Sequence, residues 1–261
     1  MTIRVDVWSD IACPWCWVGK RHLERALKPQ GAEVVWHAFE LDPTAPQRPP
    51  EVPYIQRLAR KYGTDEAGAR AMVDRMTDAG AQAGLEMRFD RIRVTNTFDA
   101  HRLLAWASRA GKGAQNALKE RLFSAYLTEG EDLGSSEVLT RLASDVGLES
   151  QTAADILERQ AFADDVRQDE AMAHQLGIQG VPFFVFAQRY GVSGAQPPVV
   201  LSEILKRAQE EMNRSTGAAR GESSASAASP GPALESGSRP EREPTPGAGF
   251  PPTCGPGGCE S

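Results

Sequence analysis

The sequence predicts an α/β protein in which a small sheet is interrupted by a large helical segment. Three observations support this class. Runs typical of strands occur at residues 3–8, 34–39 and 181–186, on either side of a long middle region. In that region, between about 51 and 177, apolar residues recur at three- and four-residue steps, as on helices. The chain of 261 residues is long enough for one core with an insertion.

The first elements form a strand–helix–strand unit. Residues 3–8 alternate as a strand does, and residues 14–28 carry helix-spaced apolar side chains that end at Pro29. Residues 34–39 follow as a second strand. We therefore assign residues 1–45 to the N-terminal part of the α/β domain.

The middle of the chain is predicted to be an all-helical insertion domain over residues 46–177. Its first residues are proline-rich and extended, and helices follow. The predicted helices cover residues 51–62, 65–84, 97–111, 114–128, 135–146, 151–158 and 160–176. Residues 178–213 then complete the α/β domain, with strands at 181–186 and 190–194 and a helix at 198–213.

The last segment, residues 214–261, is rich in Pro, Gly and Ser. Such a composition buries too little apolar surface to offset the loss of conformational entropy, so we expect a flexible C-terminal extension. Its cysteines, Cys254 and Cys259, are separated by Gly-Pro-Gly-Gly.

Charge and hydropathy exclude two kinds of partner. The net charge is −6 without a cluster of Lys or Arg, so nucleic acid is not expected to bind. No apolar run approaches the ~20 residues of a membrane span, so no membrane partner is expected.

Asp6 and Asp10 interrupt the stretch where a signal peptide would need its apolar segment, which predicts a cytoplasmic protein. In that reducing compartment, cysteine pairs are usually catalytic, redox-sensing or metal-binding.

Cys13-Pro14-Trp15-Cys16 stands where the first strand gives way to the first helix. Cysteines so spaced can close into a disulfide and reopen, which exchanges two electrons. Unpaired N–H groups and the helix dipole favour the thiolate of the first cysteine, and Pro14 suits the first helical position. This arrangement predicts a thiol–disulfide oxidoreductase. A zinc half-site and a pair of inert buried thiols are the alternatives, although zinc sites usually combine two such elements within one compact unit.

The order of elements and four stretches resemble the DsbA family of thioredoxin-fold proteins, and in particular its FrnE-like branch. The stretches are residues 8–17 (WSDIACPWCW), 96–103 (NTFDAHRL), 180–186 (GVPFFVF) and 193–196 (SGAQ). The resemblance covers about residues 2–213 and implies a thioredoxin-like fold with a large helical insertion, followed by the C-terminal extension.

The resemblance also implies a mechanism. Cys13 would attack a disulfide, and Cys16 would resolve the mixed disulfide. The peptide bond between Val181 and Pro182 would be cis, beside the cysteines, and would expose the Val181 backbone to an extended substrate. We expect Trp15 to face that substrate.

Expected partners are protein substrates with thiols or disulfides, together with glutathione or a thioredoxin system. No metal and no cofactor are expected beyond the redox-active disulfide, with glutathione as a candidate co-substrate. Many thioredoxin-fold proteins carry a buried acid six residues before the first cysteine. Val7 occupies that position here, so Asp6 or Asp10 would assist proton transfer, or no acid does.

A second enzyme class shares the resemblance. Glutathione-dependent kappa-class transferases and 2-hydroxychromene-2-carboxylate isomerases have similar Asn-Thr and Gly-Val-Pro stretches, but typically place serine at the first active position. Both Cys13 and Cys16 are present here, which favours protein-thiol chemistry. A zinc-regulated binding module that uses all four thiols is the third alternative.

The pair Cys254 and Cys259 is predicted to act as an internal redox partner. Its glycine-rich spacer allows a turn that closes a disulfide, and a linker of about 40 residues reaches about 35 Å, farther than the ~17 Å radius of gyration of the body. The alternatives are thiols without a role and adventitious metal binding. His101 is expected to pack or cap its helix rather than to take part in catalysis.

Overall fold

The structure is a computed structural model that describes residues 2–28, 31–50, 52–221, 254–255 and 258–259. The first unit consists of β1 (Arg4–Ser9), α1 (Pro14–Leu27) and β2 (Glu33–Ala38). The insertion contributes α2 (Tyr54–Tyr62), α3 (Glu66–Ala83), α4 (Phe98–Ala110), α5 (Ala114–Ser124), a π-helical turn (Ala125–Glu129), α6 (Ser136–Asp145), α7 (Ser150–Glu158) and α8 (Ala163–Gln175). The chain then forms β3 (Phe183–Phe186), β4 (Tyr190–Ser193) and α9 (Pro198–Gly221), followed by the short strands β5 (Cys254–Gly255) and β6 (Gly258–Cys259).

The main sheet has the strand order β2-β1-β3-β4. β1 runs parallel to β2 because α1 carries the chain back across the sheet, whereas β1 and β3 are antiparallel, as are β3 and β4. This is the thioredoxin-like arrangement, and the predicted α/β class with a helical insertion is confirmed.

Alternation along β1 directs its side chains to two different cores. Val5 and Val7 join a cluster with residues of α1, β3 and α9, including Leu23, Phe184 and Leu201. Trp8 points the other way, into a cluster that contains both cysteines of the CPWC turn and the buried faces of the insertion helices. The cysteines therefore lie where the sheet domain and the insertion pack together.

Two boundaries differ from the prediction by more than three residues. The helix predicted over 114–128 changes at Ala125 into the π-helical turn and ends at Gly130, whose φ is +74°. A Cβ at Gly130 would lie 2.4 Å from the carbonyl oxygen of Arg91, so only glycine fits this exit. Helix α9 continues to Gly221, eight residues beyond the predicted end at 213. Ala218 and Ala219 are good helix formers. The flexible tail was predicted largely over residues that lie outside those described.

None of the helices in the described ranges combines the length and the apolar character that a bilayer crossing requires.

Candidate active site

The CPWC turn begins α1 as its spacing predicts. Cys13 is the N-cap residue, with extended φ and ψ of −94° and 111°, and Pro14 opens the helix. The backbone N–H of Cys13 donates to Asp10 O at 3.2 Å, and that of Cys16 donates to Cys13 O at 3.0 Å. Both thiols are free, and the two residues are 0% and 1% exposed. The turn thus holds a reduced dithiol within the packed core.

The Val181–Pro182 bond is cis and lies beside Cys13. Cys13 Sγ donates to the carbonyl oxygen of Val181 at 3.5 Å, so this oxygen faces the thiol, and the Val181 residue is fully buried. On the other side, Gly194 N donates to Pro182 O at 2.8 Å. The Gly-Val-Pro and Ser-Gly-Ala-Gln stretches therefore meet at the site.

Gly19 allows α1 to approach this loop. A Cβ built on Gly19 would lie 2.9 Å from Pro182 Cγ and 3.1 Å from Phe184 Cζ. Since a proline ring cannot swing aside, residue 19 has to lack a side chain for the helix and the loop to pack as they do.

Asp10 is the buried acid of the site. Its carboxylate accepts hydrogen bonds from Leu41 N at 2.7 Å and Ala12 N at 3.2 Å, and it pairs with His101 Nε2 at 3.3 Å. Burial alone raises the pKa of Asp10, but the contacts with His101 and the backbone N–H groups outweigh it and hold that pKa below its usual range. Asp10 thus remains an anion directly before the CPWC turn, while Asp6 pairs with other residues.

His101, which pairs with Asp10, is 2% exposed and packs within the core. The cap of its helix comes from another residue of the same stretch, because Asn96 Oδ1 accepts from Phe98 N at 2.8 Å. Asn96 Nδ2 also donates to the buried carboxylate of Glu40 at 3.1 Å. Burial and the neighbouring Glu170 raise the pKa of Glu40 to about 7.

Lys119 is a further charged residue at the site, one that the sequence analysis did not identify. It comes from α5, is 0% exposed, and its Nζ donates to Ser9 O at 3.3 Å. The rings of Trp36 and Phe123 flank the ammonium, with centroids 5.6 and 5.5 Å from Nζ. Burial lowers the pKa of Lys119 to about 8, although Cys16 and Asp10 oppose this shift.

Lys119 and Cys13 act in opposite directions on the second cysteine. Burial, followed by the hydrogen bond with Cys13, raises the pKa of Cys16 well above its usual value, whereas the positive charge of Lys119 lowers it. The surroundings of Cys16 therefore keep its thiol neutral on balance, and Lys119 is a nearby cation that favours its ionised form.

His37 connects both strands of the first unit to α8. It lies 2.8 Å from an oxygen of Asp6 and 2.6 Å from one of Asp169, and it stacks on Trp8 with ring centroids 4.5 Å apart. Burial lowers the pKa of His37, but hydrogen bonds and charges from Asp169 and Asp6 outweigh this and raise it to about 9. Asp6 is thus paired with His37 and Arg4, and its part in proton transfer stays a prediction.

A cavity of about 750 Å³ opens between the CPWC turn and the insertion. Ala12, Pro14 and Trp15 line it on one side, and residues of α2 and α3 line the other. Trp15 is half-buried and faces this space, whereas Trp17 is buried and stacks on Phe123. The cavity therefore borders the chain neighbours of Cys13.

The C-terminal cysteines stand opposite each other in the backbone. Cys254–Gly255 pairs antiparallel with Gly258–Cys259, with Cys254 and Cys259 as register partners. The side chains of this pair and residues 222–253 lie outside the description, so exchange with Cys13 stays a prediction.

With this geometry established, comparison with known proteins identifies the family. Residues 4–206 match the DSBA-like thioredoxin domain. The chain belongs to this family.

Several solved or curated proteins resemble this DSBA-like chain. A protein from Streptomyces coelicolor, described as a probable DsbA oxidoreductase, is 35% identical; the alignment covers 99% of each chain, with a TM-score of 0.74. The uncharacterized protein YwbO of Bacillus subtilis is 28% identical over 81% of this chain and 100% of its own.

Two further structures share the fold at lower identity. The cytosolic disulfide reductase DsbM of Pseudomonas aeruginosa with GSH is 18% identical over 79% of this chain and 99% of its own, with a TM-score of 0.58. A 2-hydroxychromene-2-carboxylate isomerase is 15% identical over 82% of this chain and 98% of its own, with a TM-score of 0.56.

Proposed function

We propose that this DSBA-like protein catalyses thiol–disulfide exchange on protein disulfides, with Cys13 as the nucleophile and Cys16 as the resolving thiol. The observation that carries the proposal is the pair of free thiols at the start of α1, with Cys13 against the Val181–Pro182 loop and beside an accessible cavity. Helix N-termini favour thiolates, and thiolates are the attacking species in exchange.

The proposed reaction balances as a two-electron transfer. The Cys13 thiolate forms a bond to one sulfur of the substrate disulfide, the substrate S–S bond breaks, and one substrate thiolate leaves. Cys16 then loses its proton and attacks Cys13 Sγ, which releases the second substrate thiol. The substrate is reduced and the Cys13–Cys16 disulfide forms, and the reverse sequence oxidises a dithiol. In isomerisation, a different thiolate of the substrate attacks the mixed disulfide, which forms a new substrate disulfide and releases the Cys13 thiolate.

A trapping experiment tests the roles of the two cysteines. The Cys16→Ser variant should accumulate mixed disulfides at Cys13 that mass spectrometry recovers and that dithiothreitol releases. The matched control is Cys13→Ser, which keeps one thiol of the pair but should trap little. Absence of adducts at Cys13 in the Cys16→Ser protein would refute the assignment.

The proposal includes Cys254 and Cys259 as an auxiliary redox pair. Antiparallel pairing with the two residues in register supports it, since the Cα atoms of facing residues on such strands lie ~4.5–5.5 Å apart, a separation that disulfides bridge. A full-length Cys254→Ser/Cys259→Ser variant should show an altered Cys13/Cys16 reduction potential or turnover relative to wild type. Identical values would remove the auxiliary pair from the mechanism.

Glutathione or a thioredoxin system would return the dithiol to its starting state, and we place the reaction in the cytoplasm. The DsbM neighbour supports both points, because it is named as cytosolic and was solved with GSH. The direction of net reaction follows from the reduction potential, which equilibration with glutathione buffers measures.

A second candidate function is glutathione-dependent isomerisation of a small aromatic substrate, favoured by the fold shared with a 2-hydroxychromene-2-carboxylate isomerase. The two functions differ in the side chain that position 13 requires: a thiol for disulfide exchange, and typically a serine hydroxyl for the glutathione-dependent isomerase. A redox enzyme loses activity in Cys13→Ser, whereas turnover of an aromatic isomerase substrate by Cys13→Ser would favour the second candidate.

A further inference from the structure

The cavity beside the CPWC turn has one strongly cationic wall. Arg57, Arg60 and Lys61 of α2 and Arg75 of α3 all line it. Within the described part of the chain, none of these four cations forms an ion pair, although the protein as a whole carries a net charge of −6. Unpaired positive charge is thus concentrated at the substrate side of an acidic protein.

Helix geometry accounts for the concentration. Arg60 and Lys61 follow Arg57 by three and four residues, which places all three on one face of α2. That face turns toward the cavity, and Arg75 adds a fourth charge from the neighbouring helix. Arg60, Lys61 and Arg75 are exposed, so their charge reaches solvent at the rim.

The two acids that line the same cavity, Asp10 and Asp42, both have hydrogen-bond partners within the protein. Asp10 pairs with His101 and backbone N–H groups, and Asp42 accepts from Thr44 Oγ1 at 2.7 Å and Thr44 N at 3.1 Å. Apolar side chains such as Leu58 and Met72 form much of the remaining lining. Four cations and two acids line the cavity, so positive charge is in excess there, beside a largely apolar lining.

We propose that this cationic groove selects disulfide substrates whose reacting cysteine is flanked by aspartate or glutamate, in an extended segment of a protein. The proposal rests on the proposed function and names its preferred substrate class. The cavity of about 750 Å³ lies in the upper part of the ~300–1,000 Å³ range of ligand pockets, and its cations come from two helices. A segment with several carboxylates matches that spread better than a single small thiol does.

Rates with matched peptides test the preference. Fully reduced protein is mixed with peptides that contain one disulfide, flanked by Glu, Ser or Lys in otherwise identical sequences, and oxidation of Cys13/Cys16 is followed by tryptophan fluorescence. At low ionic strength the Glu peptide should react about tenfold faster than the Lys peptide, with the Ser peptide between them. Equal rates for the three peptides would overturn the groove proposal; failure of all three to react would instead overturn the proposed function.

Two double variants test whether the preference for the Glu peptide depends on the cations that line the cavity. Arg60→Glu/Lys61→Glu should abolish or reverse the preference for the Glu peptide. Lys112→Glu/Arg159→Glu makes the same change in net charge at exposed cations that do not line the cavity, and it should retain the preference. Equal loss in both variants would mean that net charge, rather than the groove, selects the substrate.

Glutathione disulfide, a small anionic disulfide, tests in the same experiment whether the groove binds small molecules instead of protein segments. Its rate should fall less in Arg60→Glu/Lys61→Glu than the rate of the Glu peptide does. If the variant slows glutathione disulfide at least as much as the Glu peptide, the groove is a site for a small anionic thiol and the proposal for protein segments is refuted.

Discussion

The two sides of the CPWC turn use charge in different ways. Behind the turn, Asp10, His101 and Lys119 are each almost fully buried and have defined hydrogen-bond partners. In front of it, the cations of the groove are largely exposed and form no ion pairs among the described residues. Buried charges act at close range in a medium of low dielectric, whereas exposed charges are screened by salt.

Buried and exposed charges are suited to different steps of the proposed reaction. A charge held at a fixed place behind Cys16 can change which sulfur carries a proton, because its effect on a neighbouring pKa is strong and local. Exposed charges at the rim of a groove act on the approach and choice of a substrate. The buried side should therefore respond to pH and to packing changes, and the groove should respond to salt.

The largest expected effect on the buried side concerns His37 and stability. Its folded pKa of about 9 lies above the ordinary 6.5, so the ion pairs with Asp6 and Asp169 stabilise the fold fully below pH 6.5. That contribution, about 3 kcal/mol, is lost as the pH rises through 9, because the folded state must then give up a proton. Denaturant titrations of wild type and His37→Gln from pH 6 to 10 measure it.

The two proteins should differ most at the acid end of that series. The difference in free energy of unfolding should shrink steadily toward pH 10. A difference that stays constant with pH would show that His37 contributes packing and not charge.

Gly19 provides the next largest effect. Alanine is usually the better helix former by about 1 kcal/mol, yet a Cβ here meets the Pro182 ring at 2.9 Å. We expect Gly19→Ala to destabilise the protein by about 1–3 kcal/mol through overpacking, and to slow exchange by displacing the loop. Thermal unfolding and peptide reduction rates measure both.

Gly80 of α3 is the matched control, because the atoms nearest its added Cβ belong to the flexible side chain of Met87, at 3.1–3.2 Å. Gly80→Ala should change the free energy of unfolding little and leave exchange unaffected. A neutral Gly19→Ala would mean that the helix and the loop are not in close contact.

The sequence anticipated what depends on neighbours in the chain. Pro14 at the helix start, the parallel strands joined by α1 and most helix boundaries all follow from local patterns. The partners of Asp10 could not be inferred this way, because residue 101 reaches it from a distant helix. The burial of Lys119, in contrast, could have been predicted from the sequence. Leu118, Leu122 and Phe123 place it on an apolar helix face, where a lysine is unusual.

Lys119 gives the third prediction, which concerns the resolving step. Replacing it with methionine removes the positive charge that favours the Cys16 thiolate. Resolution of a mixed disulfide should slow about tenfold at pH 7, and its pH profile should move to higher pH by about one unit. Stopped-flow measurements from pH 6 to 10 follow this step.

Lys20→Met is the control, because Lys20 is also buried but is paired with Glu24 and Glu120 at 2.5 and 2.8 Å. It should leave the pH profile in place. An unshifted profile in Lys119→Met, or an equal shift in both variants, would remove Lys119 from proton handling.

The smallest expected effect is that of salt, which should differ between the steps on the two sides of the CPWC turn. Raising the salt concentration from about 0.02 M to 0.5 M shortens the screening length to a few ångströms. The rate of attack on a Glu-flanked peptide should then fall about fivefold, since exposed cations steer it. The resolving step should change less than twofold, because Lys119 and Cys16 are shielded from solvent. If both steps fell equally, the groove and the buried cluster would share one electrostatic environment, and the division of tasks across the CPWC turn would be wrong.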